Sequence, residues 1–149
     1  MNERQYVIFK LAGDEFGVDI MHVKEISEHR EASKVPNTPS FIEGIINYRG
    51  VVTPVINLSK KFNQNETEIT NSTRIIIVYL KNKQTGFIVD DASQVLTISN
   101  KDVDDAPDLI TSVEQKFISG IAKVDDRMII ILDLEKVLNE KEKKELLSI

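Results

Sequence analysis

A short internal repeat constrains the fold of this chain more than any other feature. The segment FIEGI at Phe41–Ile45 recurs as FISGI at Phe117–Ile121, an offset of 76 residues. Six of the 22 positions that follow from Phe41 are identical at this offset, and Gly17 aligns with Gly86 at an offset of 69. Self-similarity at a constant spacing indicates repeated structural units. The repeat therefore favours two similar lobes over a single sandwich.

The apolar composition indicates that both lobes are mostly β. The chain has 20 Ile and 14 Val against 10 Leu and 5 Ala. Ile and Val lose rotamer freedom in helices and pack well on pleated sheets, so this excess favours strands. Closure of each lobe into a small barrel would also remove exposed sheet edges.

Alternating apolar residues and turn residues predict the elements along the chain. The strands are expected at Tyr6–Leu11, Phe16–Ile20, Ile45–Tyr48, Val51–Leu58, Arg74–Leu80, Thr85–Val89, Gln94–Ile98, Phe117–Val124 and Met128–Leu134. Helical turns are expected at Asp19–Lys24 and Ser40–Gly44, and Pro54 is expected at a sheet edge or bulge. The only convincing helix is 139–149, where Asn139 and Glu142 are spaced as a capping box.

The lobe boundaries are expected near residues 1–66 and 67–138, within one domain of 1–149. The polar segment Asn63–Thr73 is the best candidate for the connector, and Lys101–Ser112 is expected to be an acidic loop. The pattern leaves open whether the terminal strands cross over between the lobes.

Charge and composition exclude several classes of function. The net charge is −5, and a phosphate backbone attracts basic surfaces, so we expect no nucleic-acid partner. The absence of Cys excludes disulfides and thiolate metal sites and is typical of a reducing cytosol. The longest apolar run, Ile75–Leu80, is far shorter than the ~20 residues of a membrane helix, and the first residues resemble no signal peptide, so we expect no direct membrane insertion.

Residues that could carry catalysis or bind metal are few. No hydrolase elbow, zinc-protease, dinucleotide or P-loop motif is present. His22 and His29 are expected on the surface, and Asp90 and Asp91 in a turn. The acidic residues Asp102, Asp104, Asp105 and Asp108 lack the glycine and terminal glutamate of a calcium loop. We therefore expect no catalysis, no metal and no cofactor.

The most distinctive block is Asn47-Tyr48-Arg49-Gly50. The second copy of the repeat has Lys123–Asp126 at these positions, so an Arg-Gly pair in one lobe stands where the other has two acids. Arginine offers five donors in a planar fork and is frequent at interaction hot spots, although a solvated turn arginine is the simpler interpretation. Glu25 is a candidate carboxylate partner for Arg49.

These segments together resemble the bacterial chemotaxis coupling proteins of the CheW family. The resemblance covers nearly the whole chain and is most specific from Pro36 to Leu58. It is carried by the segments Phe16–Ile20, Val23–Ile26, Pro36–Gly44, Asn47–Leu58, Gly86–Asp90 and Asp126–Leu132. One mild departure is Asn57-Leu58, where the family usually has Asp-Leu.

The resemblance implies a mostly β fold of two SH3-like five-stranded β-barrel subdomains around a shared apolar core, with a C-terminal helix. It implies a cytoplasmic, non-catalytic adaptor that couples chemoreceptor signalling tips to the regulatory domain of the histidine kinase CheA, in membrane-associated arrays and conceivably in rings of CheW-like lobes. By position, it implies a receptor-facing side and two glycines that affect coupling through backbone geometry. The receptor-facing residues would be Val23, Glu25, Ile26, Val35, Asn47, Arg49 and Val95, and the two glycines would be Gly44 and Gly50.

Two other classes of function stay open at this point. A small-molecule-binding β-barrel regulator would need a sizeable apolar cavity between the lobes. A hydrolase with paired carboxylates could use Asp90 and Asp91, but neighbours on a strand point to opposite faces, which suits a shared site poorly.

Overall fold

The computed structural model describes residues 2–62, 68–105 and 115–149. Its strands are β1 (Glu3–Leu11), β2 (Asp14–Asp19), β3 (Val23–Glu28), β4 (Ile42–Tyr48), β5 (Val51–Asn57), β6 (Arg74–Leu80), β7 (Lys83–Val89), β8 (Asp91–Ser99), β9 (Val103–Asp104), β10 (Ile118–Val124) and β11 (Arg127–Leu132). Its helices are α1 (Leu58–Lys61), α2 (Leu134–Val137) and α3 (Glu140–Leu147). Short 3₁₀ turns lie at Ile20–His22, Asn100–Asp102 and Gln115–Phe117.

The strands form two sheets, one for each SH3-like lobe. The first lobe has the strand order β8-β1-β2-β11-β10-β9, and the second has β3-β6-β7-β5-β4. The predicted mostly β, two-lobe fold is confirmed, with six strands in one sheet and five in the other. The extra strand β9 has only two residues, and its counterpart in the second lobe is a single bridge between Ser33 and Ile45.

The internal repeat is visible in the strand register. The β4–β5 hairpin has a register shift between Ile42 and Gly44, and the β10–β11 hairpin has one between Ile118 and Gly120. Each hairpin then leads into a one-turn helix that begins after a capping side chain, Asn57 before α1 and Asp133 before α2. Their backbone N–H groups donate to equivalent carbonyls, at 2.7 Å to Phe41 and 2.9 Å to Phe117. The predicted offset of 76 residues is therefore structural.

The two halves of the chain exchange hairpins. The β6–β7 hairpin pairs in parallel with β5, and the β1–β2 hairpin pairs in parallel with β11. The second sheet is thus built from residues 23–89, and the first from residues 3–19 and 91–132. This division differs from the expected one at residues 1–66 and 67–138, because the N-terminal hairpin crosses over to the strands of the second repeat.

The apolar side chains form three clusters. One cluster fills the first lobe around Ile8 and Ile129, and another fills the second lobe around Val55 and Ile75. The third and largest lies between the sheets and includes residues from both, as predicted for a shared core. A row of stacked rings runs through it, with centroid separations of 5.6 Å for Phe9–Phe16, 6.4 Å for Phe16–Phe62 and 5.8 Å for Phe62–Phe117.

The C-terminal helix α3 has the predicted capping box. The Asn139 N–H donates to Glu142 Oε1 at 2.8 Å, and the Glu142 N–H donates to Asn139 Oδ1 at 2.8 Å. Leu146 anchors the helix in the shared core. Lys61 of α1 pairs with Glu142 at 2.9 Å, and Lys83 donates to the Ile149 carbonyl at 2.8 Å, so the end of the chain docks on the second lobe.

Several local predictions were wrong. The turn that follows Asp19 covers only Ile20–His22, and β3 begins at Val23, before the predicted end of the turn at Lys24. Ser40–Gly44 is not helical, because β4 already starts at Ile42. The strands predicted to end at Leu58 and Leu134 end earlier, because Asn57 and Asp133 cap α1 and α2.

The remaining local predictions concern Pro54 and the two loops. Pro54 lies within the sheet opposite Ile45, and the parallel ladder to β7 begins only at the next residue, so its missing donor is not needed. In the two predicted loops, residues 63–67 and 106–114, which include Asp108, lie outside the described residues.

Gly44 and Gly50 have different backbone constraints, and this generates a stability prediction. Gly44 has φ +144°, and a Cβ atom there would lie 2.1 Å from the Ser33 carbonyl oxygen. Gly50 has φ +81°, with nothing within 4 Å of such an atom. We expect Gly44→Ala to lower the unfolding free energy by more than about 2 kcal/mol, since both strain and overlap act. Gly50→Ala should cost about 1 kcal/mol from the left-handed conformation alone.

Urea melts of the two variants, beside the unmodified protein, measure this difference. Equal losses for both variants would show that the approach of Ser33 to Gly44 does not limit the side chain at that position.

Candidate functional site

The β4–β5 turn presents Arg49 at one end of the second lobe. Arg49 has φ +51° and Gly50 has φ +81°, which is the two-residue hairpin geometry that matches strand twist. Asn47 closes the turn, because its Oδ1 accepts from the Gly50 N–H at 2.9 Å. The equivalent turn of the first lobe has Asp125, with φ +54°. The two turns therefore share a backbone and differ in charge.

Arg49 and Glu25 form a two-point ion pair. Arg49 Nε donates to Glu25 Oε2 at 2.9 Å, and Arg49 Nη2 lies 2.7 Å from Glu25 Oε1. Glu25 sits on β3 opposite Ile77 of β6, just after a register shift that follows Val23. The carboxylate partner suggested by the sequence is thus the observed one, although 24 residues separate the two side chains.

Two further side chains complete this group, and sequence reasoning missed both. The Tyr48 hydroxyl donates to Glu25 Oε2. The Arg30 guanidinium lies 5.0 Å from the centre of the Tyr48 ring, on which Arg49 also packs at 5.5 Å, and Arg30 Nη1 donates to the Asn47 carbonyl at 3.0 Å. We call these five residues, Glu25, Arg30, Asn47, Tyr48 and Arg49, the Arg49 cluster.

The signals for the two missed residues differ in strength. Tyr48 could have been found, because it follows Ile46 at the spacing of two that marks the inner face of a strand. Arg30 lies beyond the end of β3, and no periodic pattern predicts where its side chain points.

The Arg49 cluster closes the second lobe. Strands β3 and β4 are the two edges of the five-stranded sheet, and edge strands leave backbone groups unpaired. The contacts from Tyr48 and Arg49 to Glu25, and from Arg30 to Asn47, join one edge to the other. The cluster therefore holds the barrel together at the end where Arg49 is exposed.

Electrostatics keep both members of the ion pair charged. The hydrogen bond from Arg49, followed by that from Tyr48, lowers the pKa of Glu25 from its ordinary value of 4.5 to about 2. The same pairing raises the pKa of Arg49 above its already high ordinary value. The carboxylate thus accepts hydrogen bonds across the whole physiological pH range.

The other residues expected on the receptor-facing side are spread over both lobes. Val23 is half-buried on β3 and Ile26 is 38% exposed on the same strand. Val35 is half-buried in the loop after β3, where its carbonyl accepts from the Thr38 hydroxyl at 2.9 Å. Val95 is 47% exposed, but it lies on β8 in the first lobe. The structure joins Glu25, Asn47 and Arg49 in one network and places Val95 on the other sheet.

The repeat relates Val95 to Ile26. Ile26 pairs with Ile76 of β6, Val95 pairs with Val7 of β1, and both steps use the offset of 69 residues. The two exposed apolar residues are therefore equivalent positions on the edge strands of the two lobes.

The first lobe has its own arginine cluster, which sequence reasoning did not single out. Arg127 Nε donates to Glu15 Oε1 at 3.0 Å, and Nη2 contacts Glu15 Oε2 and donates to Gln94 at 2.9 Å. This arginine side chain is 33% exposed, whereas that of Arg49 is 65% exposed. Arg127 thus joins strands within its lobe, and Arg49 is the arginine that solvent and partners can reach.

The candidate acids have structural surroundings. Asp90 Oδ2 accepts from the Ala12 N–H at 2.9 Å, which ties the β7–β8 junction to the β1–β2 turn. Asp104 pairs with Lys123 at 2.7 Å. Within residues 2–62, 68–105 and 115–149, no group of three or more His, Asp or Glu side chains is arranged to hold a metal ion. No helix in this described part of the chain has both the length and the apolar character to cross a membrane.

Comparison with known proteins places the fold and the cluster in context. The chain matches the family described as "CheW-like domain" over residues 5–142. It is 37% identical to a chemotaxis protein CheW of Bacillus subtilis over 90% of this chain and 86% of that protein. It is 32% identical to that of Klebsiella aerogenes over 93% of this chain and 84% of that protein.

A solved structure is similar as well. The crystal structure of the scaffolding protein TtCheW from Thermoanaerobacter tengcongensis is 38% identical, covers 95% of this chain and 91% of that chain, and has a TM-score of 0.85.

The ion pair generates a titration prediction. The folded pKa of Glu25, about 2, lies below the ordinary value of 4.5 expected in the unfolded chain. The stabilisation that Glu25 contributes is therefore fully present above pH 4.5 and is lost as the pH falls towards about 2. Carboxyl-detected NMR should give this pKa directly, and Arg49→Ala should raise it towards 4.5.

Glu25→Gln serves as the control in acid unfolding curves, because it lacks the titrating group and should lose less stability between these pH values. An unchanged Glu25 pKa in Arg49→Ala would contradict the observed pairing.

Proposed function

The chain belongs to the CheW family of chemotaxis scaffold proteins, and from this premise we propose that it is a non-catalytic adaptor that couples chemoreceptor signalling tips to the histidine kinase CheA. The observation that carries the proposal is the Arg49–Glu25 pair, because it is ordered, charged and exposed at one end of a lobe. An exposed arginine held by a carboxylate is suited to fixing the register of a partner.

The receptor-facing side would run from the Arg49 cluster along β3 towards the groove between the lobes. Glu25, Asn47 and Arg49 would supply the polar contacts, and Val23, Ile26, Val35 and Val95 would supply apolar ones. A helical receptor tip presents such a groove with an apolar stripe flanked by polar side chains. The equivalence of Ile26 and Val95 supports this arrangement, because each lobe then offers one exposed apolar residue on an edge strand.

The two glycines would act through the backbone rather than by contact. Gly44 permits the close approach of Ser33 to β4, and Gly50 permits the turn that presents Arg49. Either substitution would therefore shift the cluster relative to β3.

The second partner in this proposal is the regulatory domain of CheA. The adaptor would be cytoplasmic and recruited to membrane-associated receptor arrays, where CheW-like lobes could also assemble into rings. Family membership supports these partners, and no residue of this chain is assigned to CheA.

No observation favours the two other classes of function. A small-molecule regulator would need an apolar cavity between the lobes, and in the described part of the chain that region is filled by the shared core. A hydrolase would need paired acids, and Asp90 is committed to the β1–β2 turn.

The proposal predicts that Arg49 matters for binding more than for folding. Arg49→Ala removes no buried volume, so the unfolding free energy should change by no more than about 1 kcal/mol. Loss of a desolvated arginine contact should weaken receptor binding by about 1–3 kcal/mol, which is roughly 5- to 150-fold. Glu25→Ala should show the same asymmetry, and the double variant should be less than additive because the two side chains act together.

Urea melts and pull-downs with a chemoreceptor signalling fragment and CheA from the same genome, each with and without the other, measure both effects. Arg4→Ala is a matched control, since Arg4 is 63% exposed and pairs with Asp19 at 3.3 Å on the first lobe. Binding of Arg49→Ala at the wild-type level would remove this site from the proposal, and unfolding of Arg49→Ala would make the residue structural.

The groove model also predicts the heat capacity of binding. Burial of Val23, Ile26, Val35 and Val95 removes apolar surface from water, so calorimetry with the receptor fragment should give a negative ΔCp. Replacing Ile26 and Val95 together by Ser should make ΔCp less negative. A ΔCp near zero would indicate a purely polar contact and contradict the groove.

A further inference from the structure

We infer that Tyr48 is a positioning residue of the receptor-facing site, whose hydroxyl fixes the Glu25 carboxylate so that Arg49 is presented to a partner in one orientation. This inference rests on the proposed function and deepens it. Tyr48 itself would touch no partner, because its side chain is buried within the second lobe.

Tyr48 is a rigid donor. Only 4% of the residue is exposed, and its ring belongs to the cluster that includes Ile46, Val55 and Ile75. Its backbone pairs with Val51 in the hairpin, and its carbonyl accepts from Gln84 Nε2 at 3.2 Å. The ring is further held by the Arg30 guanidinium, 5.0 Å from its centre. The hydroxyl therefore has a fixed position at the end of a packed core.

Glu25 and Arg49 lack such restraint on their own. The Glu25 side chain is 33% exposed on an edge strand, and the Arg49 side chain is 65% exposed on a turn. Two long side chains that order only each other lose rotamer entropy, which is why most exposed ion pairs contribute little. A third group anchored in the core removes much of that freedom before a partner arrives, and preorganisation of this kind increases affinity.

The geometry of the carboxylate shows how the hydroxyl acts. Glu25 Oε2 accepts from both the Tyr48 hydroxyl and Arg49 Nε, while Oε1 faces Arg49 Nη2. The tyrosine thereby orients the plane of the carboxylate, and the carboxylate orients the guanidinium. Arginine has five N–H donors and two of them face Glu25, so the other three are presented outward. The complementary partner surface is one that offers carbonyl or carboxylate oxygens at this point.

Tyr48→Phe tests the inference, because it keeps the ring and removes only the hydroxyl. In calorimetric titrations with the soluble receptor signalling fragment, we expect Tyr48→Phe to bind about 3- to 10-fold more weakly. In the Glu25→Ala background the same substitution should have no further effect, since the hydroxyl acts through Glu25. The Glu25 pKa measured by NMR should also rise in Tyr48→Phe, which a purely packing role for the ring would not produce.

Tyr79→Phe is the matched control. Tyr79 lies on β6 of the same lobe and is 52% exposed, and its ring contacts Lys24 rather than the Arg49 cluster. Removal of its hydroxyl should leave binding and the Glu25 pKa unchanged.

The outcomes separate this inference from the proposed function. Wild-type binding by Arg49→Ala and Glu25→Ala would overturn the site itself. If those two variants lose binding while Tyr48→Phe binds like the wild type, or weakens binding equally with and without Glu25, the positioning role is overturned and the site stands. If Tyr48→Phe lowers the melting temperature, the comparison in the Glu25→Ala background still decides, because a general loss of stability weakens binding in both.

Discussion

The parallel pairings of β5 with β7 and of β11 with β2 hold the two halves of the chain together. Each joins a hairpin of one repeat to a strand of the other, so neither repeat can complete its sheet alone. Both pairings use a glycine, Gly86 opposite Val55 and Gly17 opposite Ile131. A Cβ atom at Gly86 would lie 2.7 Å from Ile75, and one at Gly17 would lie 3.1 Å from Ile131. The exchange therefore depends on bare backbone at two equivalent positions, and the shared core between the sheets follows from it.

The candidate site arises where this near-symmetry is broken. Both lobes have a two-residue turn with a left-handed first residue, but one turn carries Arg49-Gly50 and the other Asp125-Asp126. Both lobes also use an arginine to join strands. Arg127 does so on the side of its barrel, where Glu15 and Gln94 enclose it, and Arg49 does so at an exposed end. The same structural requirement is thus met in the first lobe by a partly enclosed group and in the second by one that a partner can reach.

The sequence predicted the repeat, most strands and the capping box of α3, because these depend on local spacing and on side chains a few residues apart. It failed at β3, where Val23 and Ile26 are three residues apart, as on a helix, and where the buried side chain is Ser27 rather than Ile26. Glu25 was suggested as the partner of Arg49 from charge alone. Tyr48 was missed, because a buried tyrosine reads as core until the closure of the barrel places Glu25 beside its hydroxyl. The exchange of hairpins could not be predicted, since pairing between strands far apart in sequence is decided by packing rather than by local pattern.

The position of the Arg49 cluster explains why one group of side chains can serve both the barrel and a partner. Exposed ion pairs contribute little to folding, so a loosely held Arg49–Glu25 pair would add little to the closure of the lobe. The Tyr48 hydroxyl changes this, because it links the pair to a core that is already ordered by burial of Ile46, Val55 and Ile75. The rigidity of the exposed guanidinium is then a property of the hydrophobic interior rather than of the surface. A substitution in that interior can alter how Arg49 is presented without touching any residue that a partner contacts.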